Sequence, residues 1–159
     1  MVARALSLDR FIPYRLSVAS NAVSGCIADS YRKRFGLRVP EWRIVAILAE
    51  FGPLTQLRLC ETGRLDKIAV HRAAAVLIGR GLVAAKRNPK DGRSHFLVLT
   101  GEGRLLHADI APEALAMERR LLAGFSRQEV STLEMLLRRI EAAASEPNAD
   151  SEGPFRSQG

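Results

Sequence analysis

The chain has 159 residues, 47% of them hydrophobic, so it can fold as one ordinary domain with a mainly aliphatic core. Its formal net charge of +7 favours an anionic partner, and no apolar run approaches the length that spans a membrane. Arg4, Asp9 and Arg10 interrupt the apolar stretch that a secretory signal needs. Since Cys26 and Cys60 have no CxxC spacing, we expect a cytoplasmic protein with reduced thiols.

Two helices are predicted in the first third of the chain. Residues 1–7 predict a loose start, and apolar residues at helical spacing predict a long helix over about residues 8–35, which Gly36 stops. A second helix is predicted from Pro40, a residue suited to a first helical position, over residues 41–51. The apolar stripe of the first helix is wider than a small domain covers, which predicts a partner subunit.

The next segment, from about residue 53, predicts a short helix. Thr55 is placed to cap its N-terminus. Leu57 is assigned to its buried side together with Leu59, and Gly63 is expected to end it in a left-handed conformation. This short helix is the first half of a predicted helix-turn-helix.

The second half is a helix followed by a hairpin. Asp66 is placed to cap a helix over residues 67–80, whose apolar face includes Ile78. Two strands over residues 82–100 are predicted next, joined by the turn Asn88–Gly92. The order helix, turn, helix, hairpin predicts a winged helix-turn-helix.

Two more helices are predicted after the hairpin, over residues 101–123 and 126–144. The last one opens with a capping box, in which Ser126 precedes Glu129 by three residues. The segment 145–159 is rich in Ser, Glu, Pro, Asn and Gly, a composition typical of disorder.

The predicted fold is therefore mainly α with a small β-hairpin wing. It forms a single domain over residues 8–144, in which a winged helix-turn-helix at about residues 53–100 lies between long helices at about 8–35 and 101–144. No internal repeat and no enzyme motif is apparent. The three histidines (His71, His95 and His107) lack metal-ligand spacing, so neither a metal nor a cofactor is predicted.

Positive charge is concentrated on the winged module. Residues 58–104 contain ten Lys/Arg against four Asp/Glu, a net of +6, which leaves only +1 for the rest of the chain. Such an excess on one module is the electrostatic footprint of a phosphate-backbone partner. The alternative is a solvated basic face without a partner.

The segment DKIAVHRAAAVLIGRGLV, followed by KDGRSHFLVLTGEG, resembles the recognition helix and wing of MarR-type bacterial transcription regulators. The residues that carry the resemblance are Val70, Arg72, Gly81-Leu82-Val83, Asp91, Arg93, Leu99-Thr100 and Gly103. It extends to Pro40-Glu41-Trp42-Arg43 and to Leu122–Glu129, and so covers about residues 8–143. The resemblance implies a homodimer, more often a repressor, that reads double-stranded DNA at pseudo-palindromic half-sites roughly 10 bp apart.

Nine residues are candidates for DNA contact: Lys67, Ile68, Ala69, His71, Arg72, Arg87, Lys90, Asp91 and Arg93. The resemblance places the first five in the major groove, where Arg72 can pair with guanine O6 and N7. An arginine at a hairpin tip, as at Arg93, suits a narrow minor groove. Asp91 is predicted to orient a neighbouring guanidinium and to stiffen the tip, or else to do only backbone work in the turn. The alternative for the helix is a solvated face, with Arg72 paired with Asp66 or with nothing.

Many members of the family bind a small aromatic or anionic effector in a cleft beside the DNA module. The candidates in matching regions are Tyr14, Arg15, Trp42 and Arg43. The alternative is that the tryptophan belongs to the core and that the arginines are solvated.

Two further classes of function stay open on sequence alone. One is a winged helix that serves as a protein- or RNA-interaction module, which a gel shift with DNA would separate from a DNA-binding regulator. The other is a thiol sensor. Cys26, on the apolar stripe of the first helix, and Cys60, under the recognition helix, are predicted to be buried and inert. The sensing cysteine of one family branch matches a position near Arg15.

Overall fold

The computed structural model describes residues 6–145, which form six α-helices and one small sheet. The elements are a 3-10 turn (Leu8–Arg10), α1 (Ile12–Phe35), α2 (Val39–Phe51), β1 (Leu54–Thr55), α3 (Gln56–Gly63), α4 (Lys67–Gly79), β2 (Val83–Arg87), β3 (His95–Leu99), α5 (Gly101–Leu121) and α6 (Arg127–Ser145). The predictions for residues 1–5 and for the tail from residue 146 lie outside the described residues. The mainly α fold with a hairpin wing is confirmed.

The chain forms two compact units, which meet within α5 between Met117 and Glu118. The first unit contains the winged module together with α1 and α2. The second contains the end of α5 and all of α6. The prediction of one domain over residues 8–144 stays a prediction.

The wing belongs to a three-stranded antiparallel sheet in the order β1-β3-β2. Val83 pairs with Leu99 and Arg87 with His95 along the hairpin, while Leu54 in β1 pairs with Leu97. The sequence did not predict β1, because two residues are too short to show an alternating pattern. The hairpin strands are shorter than predicted, because residues 88–94 form the turn between them.

The core of the first unit fixes α4 against α2 and the sheet. Its most buried apolar side chains include Leu37, Ile44, Val45, Leu48, Leu59, Val70, Ala73, Ala74, Leu77, Val83, Leu97 and Ile110. Tyr31, which is 1% exposed, is the buried residue that α1 contributes to this core. Burial, and to a smaller extent the charge of Glu113, raises the pKa of its hydroxyl. The recognition helix is therefore held by packing along its whole buried face.

Side-chain caps form at α3, α4 and α6 as predicted, but the cap that Ser7 or Asp9 was expected to give the first helix does not form, because α1 begins after Phe11. Thr55 Oγ1 accepts the N–H of Arg58 at 3.3 Å, and Asp66 Oδ1 accepts the N–H of Ala69 at 2.9 Å. At α6, Glu129 accepts the Ser126 N–H at 2.7 Å and donates its own N–H to Ser126 Oγ at 3.2 Å. Hydrogen bonds from the Ser126 backbone, then its side chain, lower the pKa of Glu129. This cap is therefore present at neutral pH and is lost as the pH falls through that lowered pKa.

The first helix begins later than predicted. Residues 8–10 form a 3-10 turn, and α1 starts at Ile12, directly before Pro13. Proline has no N–H to donate, so α-helical hydrogen bonding cannot run through it and a new helix begins there instead. Gly36, in a left-handed conformation with φ 61°, ends α1 as predicted.

Two apolar residues assigned to buried faces are exposed. Leu57 is 66% exposed, and it lies about 200° around α3 from the fully buried Leu59. Ile78 is 40% exposed, because the preceding residue, Leu77, occupies the buried side of α4. Neither position was identifiable from hydrophobicity alone, since an apolar residue on a helix does not show which neighbour covers it.

The predicted cap at Gly63 was wrong. Gly63 lies inside α3, and the left-handed residue is Arg64, with φ 45°. A Cβ at position 63 would lie 2.7 Å from Ile47 Cδ1 and 2.9 Å from Leu65 Cδ1. The glycine therefore leaves room for the Ile47 and Leu65 side chains, which would have to shift around a Cβ, and its role is one of space rather than of backbone freedom.

Candidate nucleic-acid interface

The N-terminal half of α4 presents an open face. Lys67, Ile68, His71 and Arg72 are exposed, and the Ile68 side chain retains 62% of its free surface. Ala69 is half-buried, so it is less accessible than predicted. A major groove presents the apolar methyl group of thymine and the acceptors O6 and N7 of guanine. An exposed isoleucine can contact the methyl group, and the basic side chains beside it can donate to the acceptors.

The two helices of the helix-turn-helix are also joined by a polar contact. His71 Nδ1 lies 3.4 Å from Gln56 Oε1, at the start of α3. The Asp66 carboxylate accepts a hydrogen bond from the N–H of Ala69. Among the ion pairs of residues 6–145 there is none between Asp66 and Arg72. The alternative in which Arg72 pairs with Asp66 is therefore wrong.

The wing tip, residues 88–94, is tied together by its own polar groups. Asn88 Oδ1 accepts the N–H of Lys90 at 3.0 Å, and Asn88 Nδ2 donates to Ser94 Oγ at 2.9 Å. The backbone bonds Asp91 N to Asn88 O (3.3 Å) and Ser94 N to Asp91 O (3.1 Å) close the turn. Sequence reasoning gave Asn88 no role beyond the turn, yet its amide fixes both sides of the tip.

Asp91 does backbone work. Its Oδ1 accepts the N–H of Arg93 at 3.0 Å, and no ion pair between described residues includes its carboxylate. The prediction that Asp91 orients a neighbouring guanidinium was wrong, because its oxygen is used two residues ahead in a local Asx-turn. This bond and those of Asn88 close the loop, and the predicted stiffening of the tip stays a prediction that this geometry supports.

We name as the reading surface Lys67, Ile68, His71 and Arg72 on α4 together with Arg87, Lys90 and Arg93 on the wing. All seven are exposed, and none of the basic members forms an ion pair with a residue in the range 6–145. Arg58, nearby on α3, differs in that its Nη1 lies 2.6 Å from Glu61 Oε2. The reading surface therefore keeps its positive charge available to a partner.

The wing is anchored to α5 by Thr100 and Gly103. Thr100 Oγ1 donates to Gly81 O at 2.7 Å and accepts the Gly103 N–H at 3.1 Å, while Thr100 N donates to Leu82 O at 3.1 Å. A Cβ on Gly103 would lie 2.0 Å from Leu82 O. The Leu-Thr-x-x-Gly pattern is thus the joint between the end of α4, the wing and α5.

A cleft of about 800 Å³ lies between α2, the wing and α5. It is lined by Leu48, Ala49, Gly52, Pro53, Ala84, Lys86, Val98, Leu99, Thr100, Arg104 and His107. Its lining is mostly apolar and includes three basic side chains and no carboxylate. Such a cleft suits a small amphipathic anion.

The four predicted effector residues do not line this cleft. Tyr14, Arg15 and Arg43 are exposed. The half-buried Trp42 stacks on His107 (ring centroids 5.8 Å apart) and contacts Tyr31 (5.2 Å). Its indole therefore has intramolecular ring partners, and an effector role for the four residues stays a prediction.

The remaining titratable groups show no second site. No cluster of three or more potential metal ligands occurs among the residues that the structure describes. Cys60 is half-buried, but Cys26 is exposed, so the prediction that Cys26 is buried was wrong for the single chain. None of the described helices is long and apolar enough to cross a membrane.

One buried charge was missed by sequence reasoning. Glu41 is 2% exposed, and its carboxylate accepts the N–H and the Nε–H of Arg38 at 2.9 and 2.8 Å. Together the two residues cap the start of α2. The signal available in the sequence was an acidic residue directly after Pro40, at the third position of a helix.

Known proteins are similar to this chain in sequence and in fold. A family model described as the MarR family matches residues 35–94, from the end of α1 to the wing tip. The chain is 32% identical to YxaD, an HTH-type transcriptional regulator of Bacillus subtilis strain 168. The match spans 117 residues, which cover 72% of this chain and 81% of that protein.

Two solved structures from Streptomyces coelicolor have the same fold. Sco3205, a MarR family regulator in complex with DNA, superposes with a TM-score of 0.78 at 21% identity, over 92% of this chain and 93% of that one. PcaV, a transcriptional regulator in complex with its natural ligand, gives 0.72 at 25% identity, over 89% and 99%. With its winged helix-turn-helix, its matched segment and these relatives, the chain belongs to the MarR family of transcriptional regulators.

Proposed function

We propose that this protein is a homodimeric repressor that reads a pseudo-palindromic site in double-stranded DNA. In this proposal α4 enters the major groove and the wing tip enters the adjacent minor groove. The observation that carries it is the reading surface, where the basic side chains of α4 and the wing form no ion pair with any of the residues 6–145. Sco3205, a protein of the same fold, is known in complex with DNA, which supports DNA as the partner.

The dimer part of the proposal rests on apolar surface outside the winged module. The early turns of α1 expose Ile12 and Val18, and α6 exposes an apolar face that includes Leu133, Leu137 and Ile140. Exposed apolar surface on this scale is typical of association sites. Two chains joined through these helices would hold two recognition helices at a fixed separation, as a site with two half-sites requires.

Light scattering tests the dimer directly. At micromolar concentration we expect a particle of twice the chain mass of 17.5 kDa, because burial of the exposed apolar faces favours association. A mass of one chain throughout that concentration range would contradict the dimer.

Replacing Arg93 by alanine tests the wing. Because the tip is already closed by its own hydrogen bonds, its backbone loses little entropy on docking. We expect Arg93→Ala to weaken specific and non-specific DNA binding alike, and to lower the slope of log K against log salt by roughly one unit per lost contact. The fold should be unaffected, since the side chain is exposed.

Asp91→Ala should act in the same direction but more weakly, since it removes the bond to the Arg93 N–H and leaves the guanidinium in place. Arg32→Ala, which removes the same charge from the exposed last turn of α1, is the control and should leave the slope unchanged. Unaltered affinity and slope in Arg93→Ala would show that the wing does not contact DNA.

Control by a small anionic effector completes the proposal. The basic, mostly apolar cleft between α2, the wing and α5 adjoins the joint that positions the wing. PcaV, a regulator of the same fold, is known in complex with its natural ligand, which supports control by a ligand. A titration with benzoate that releases bound DNA would support this part, and a complex that is unaffected by small aromatic carboxylates would count against it. The compartment that fits this function is the cytoplasm.

A further inference from the structure

Arg80 joins the end of the recognition helix to the end of α1. It is the first residue after α4, and its guanidinium donates from Nη1 to Gly36 O at 2.9 Å and from Nη2 to Phe35 O at 3.0 Å. Both acceptors lie at the C-terminus of α1, where carbonyl groups have no partner further along the helix. A guanidinium is planar, with its donors in a rigid fork, so this pair of bonds fixes direction as well as distance.

The contact is made with a well-formed helix end. Gly36 is left-handed, its N–H donates to Arg32 O at 3.1 Å, and the N–H of Leu37 donates to Tyr31 O at 3.3 Å. The last turn of α1 already contains three basic residues, so positive charge is abundant at that end of the helix dipole. What Arg80 adds is a directional link from another element.

That link joins α4 directly to α1, in addition to the packing of both helices on α2. α1 packs on α2, and α2 packs on α4. The 13 residues of α4 rise 1.5 Å each, so Arg80 lies about 20 Å along the helix axis from Lys67. Lys67 is the first residue of the reading surface. Arg80 therefore lies at the opposite end of α4 from Lys67, at the end that meets α1.

We propose that Arg80 is a positioning residue for DNA recognition. It fixes the recognition helix to α1, so that the two recognition helices of a dimer keep the separation of their half-sites. This inference rests on the proposed function, in which α1 belongs to the dimer and α4 reads DNA. Loss of the link leaves each recognition helix folded, because its buried face is unaffected, but frees its end to move relative to α1.

The test compares a full site with a single half-site. A duplex selected by the wild-type chain from a randomised pool, and the same duplex with one half-site scrambled, are titrated with wild type, Arg80→Ala, Arg80→Lys and the control Arg32→Ala. We expect Arg80→Ala to lose about 3- to 30-fold in full-site affinity. Half-site affinity and the salt slope should be unchanged, because in this proposal the Arg80 guanidinium binds the α1 carbonyl groups and not a phosphate.

Arg80→Lys should lose less, since an ammonium group keeps the charge and can donate to the same carbonyls without the fixed fork. It also carries the test if the alanine variant does not fold. Hydrogen exchange gives a readout without DNA, in which the N–H groups of Gly36 and Leu37 should exchange faster in Arg80→Ala than in Arg32→Ala.

Three results would overturn the role of Arg80. They are an unaltered full-site affinity, an equal loss on both duplexes, and a salt slope lowered by one unit, which would make Arg80 a phosphate contact. If the wild-type protein binds no duplex DNA, the proposed function is wrong, and the role of Arg80 is wrong with it. If wild type binds and Arg80→Ala binds equally well, only the positioning role fails.

Discussion

Replacing Arg72 by alanine is expected to weaken binding of duplex DNA by about 1–3 kcal/mol per half-site and to flatten base preference at one position of each half-site. Arg72 is exposed on the second turn of α4, and no ion pair within residues 6–145 uses its guanidinium. It is therefore free to donate two hydrogen bonds to one guanine, the commonest base-specific contact in the major groove. A dimer makes this contact in both half-sites, so the loss of binding free energy is doubled.

The measurement is a binding titration on a selected duplex and on duplexes with single base changes. Arg32→Ala removes an exposed arginine of equal charge from α1 and should keep full base discrimination. A folded Arg72→Ala protein with unaltered affinity and base preference would remove Arg72 from the set of reading residues.

Replacing Gly103 by alanine is expected to destabilise the fold by about 3 kcal/mol, towards the upper end of the cost of overpacking. The added Cβ would lie 2.0 Å from Leu82 O, and a backbone carbonyl between α4 and the wing cannot move aside as a flexible side chain can. The same carbonyl accepts the N–H of Thr100, so a shift at Leu82 also disturbs the joint between the wing and α5.

Gly101→Ala is the matched control, two residues earlier in the same helix. A Cβ at Gly101 meets no atom within 4 Å, so this change should leave stability unchanged or raise it slightly. Urea unfolding of the two variants gives the comparison. Equal stability of Gly103→Ala and Gly101→Ala would show that α5 does not approach Leu82 this closely.

The predictions that the structure confirmed depend on short-range chemistry. Thr55, Asp66 and the pair Ser126 and Glu129 cap the helices that follow them, because a cap needs only residues two or three positions apart. Most of the buried face of α4 was likewise predictable, since Val70, Ala73, Ala74 and Leu77 recur with the helical period, and only Ile78 was assigned to it wrongly. Thus the number and order of the six helices and the wing hairpin follow from sequence alone, although several of their ends do not.

The features that sequence missed depend on distant partners. β1 forms only because Leu54 meets Leu97 across the sheet, and Arg80 acts on carbonyl groups 44 and 45 residues earlier in the chain. Neither the pairing of β1 with β3 nor the hydrogen bonds of Arg80 produce a periodic pattern in the sequence. Within the site, family resemblance selected the reading residues, but it could not show that Asp91 binds the backbone of Arg93 rather than a guanidinium.

The most direct test of the account is a footprint of the wild-type protein on the DNA upstream of its own coding sequence, with scrambled duplex as competitor at physiological salt. The account predicts one protected region with two-fold related half-sites roughly 10 bp apart, bound far more tightly than the competitor and ever more weakly as salt is raised. A chain that protects no region, or that binds scrambled duplex equally well, would contradict sequence-specific DNA recognition.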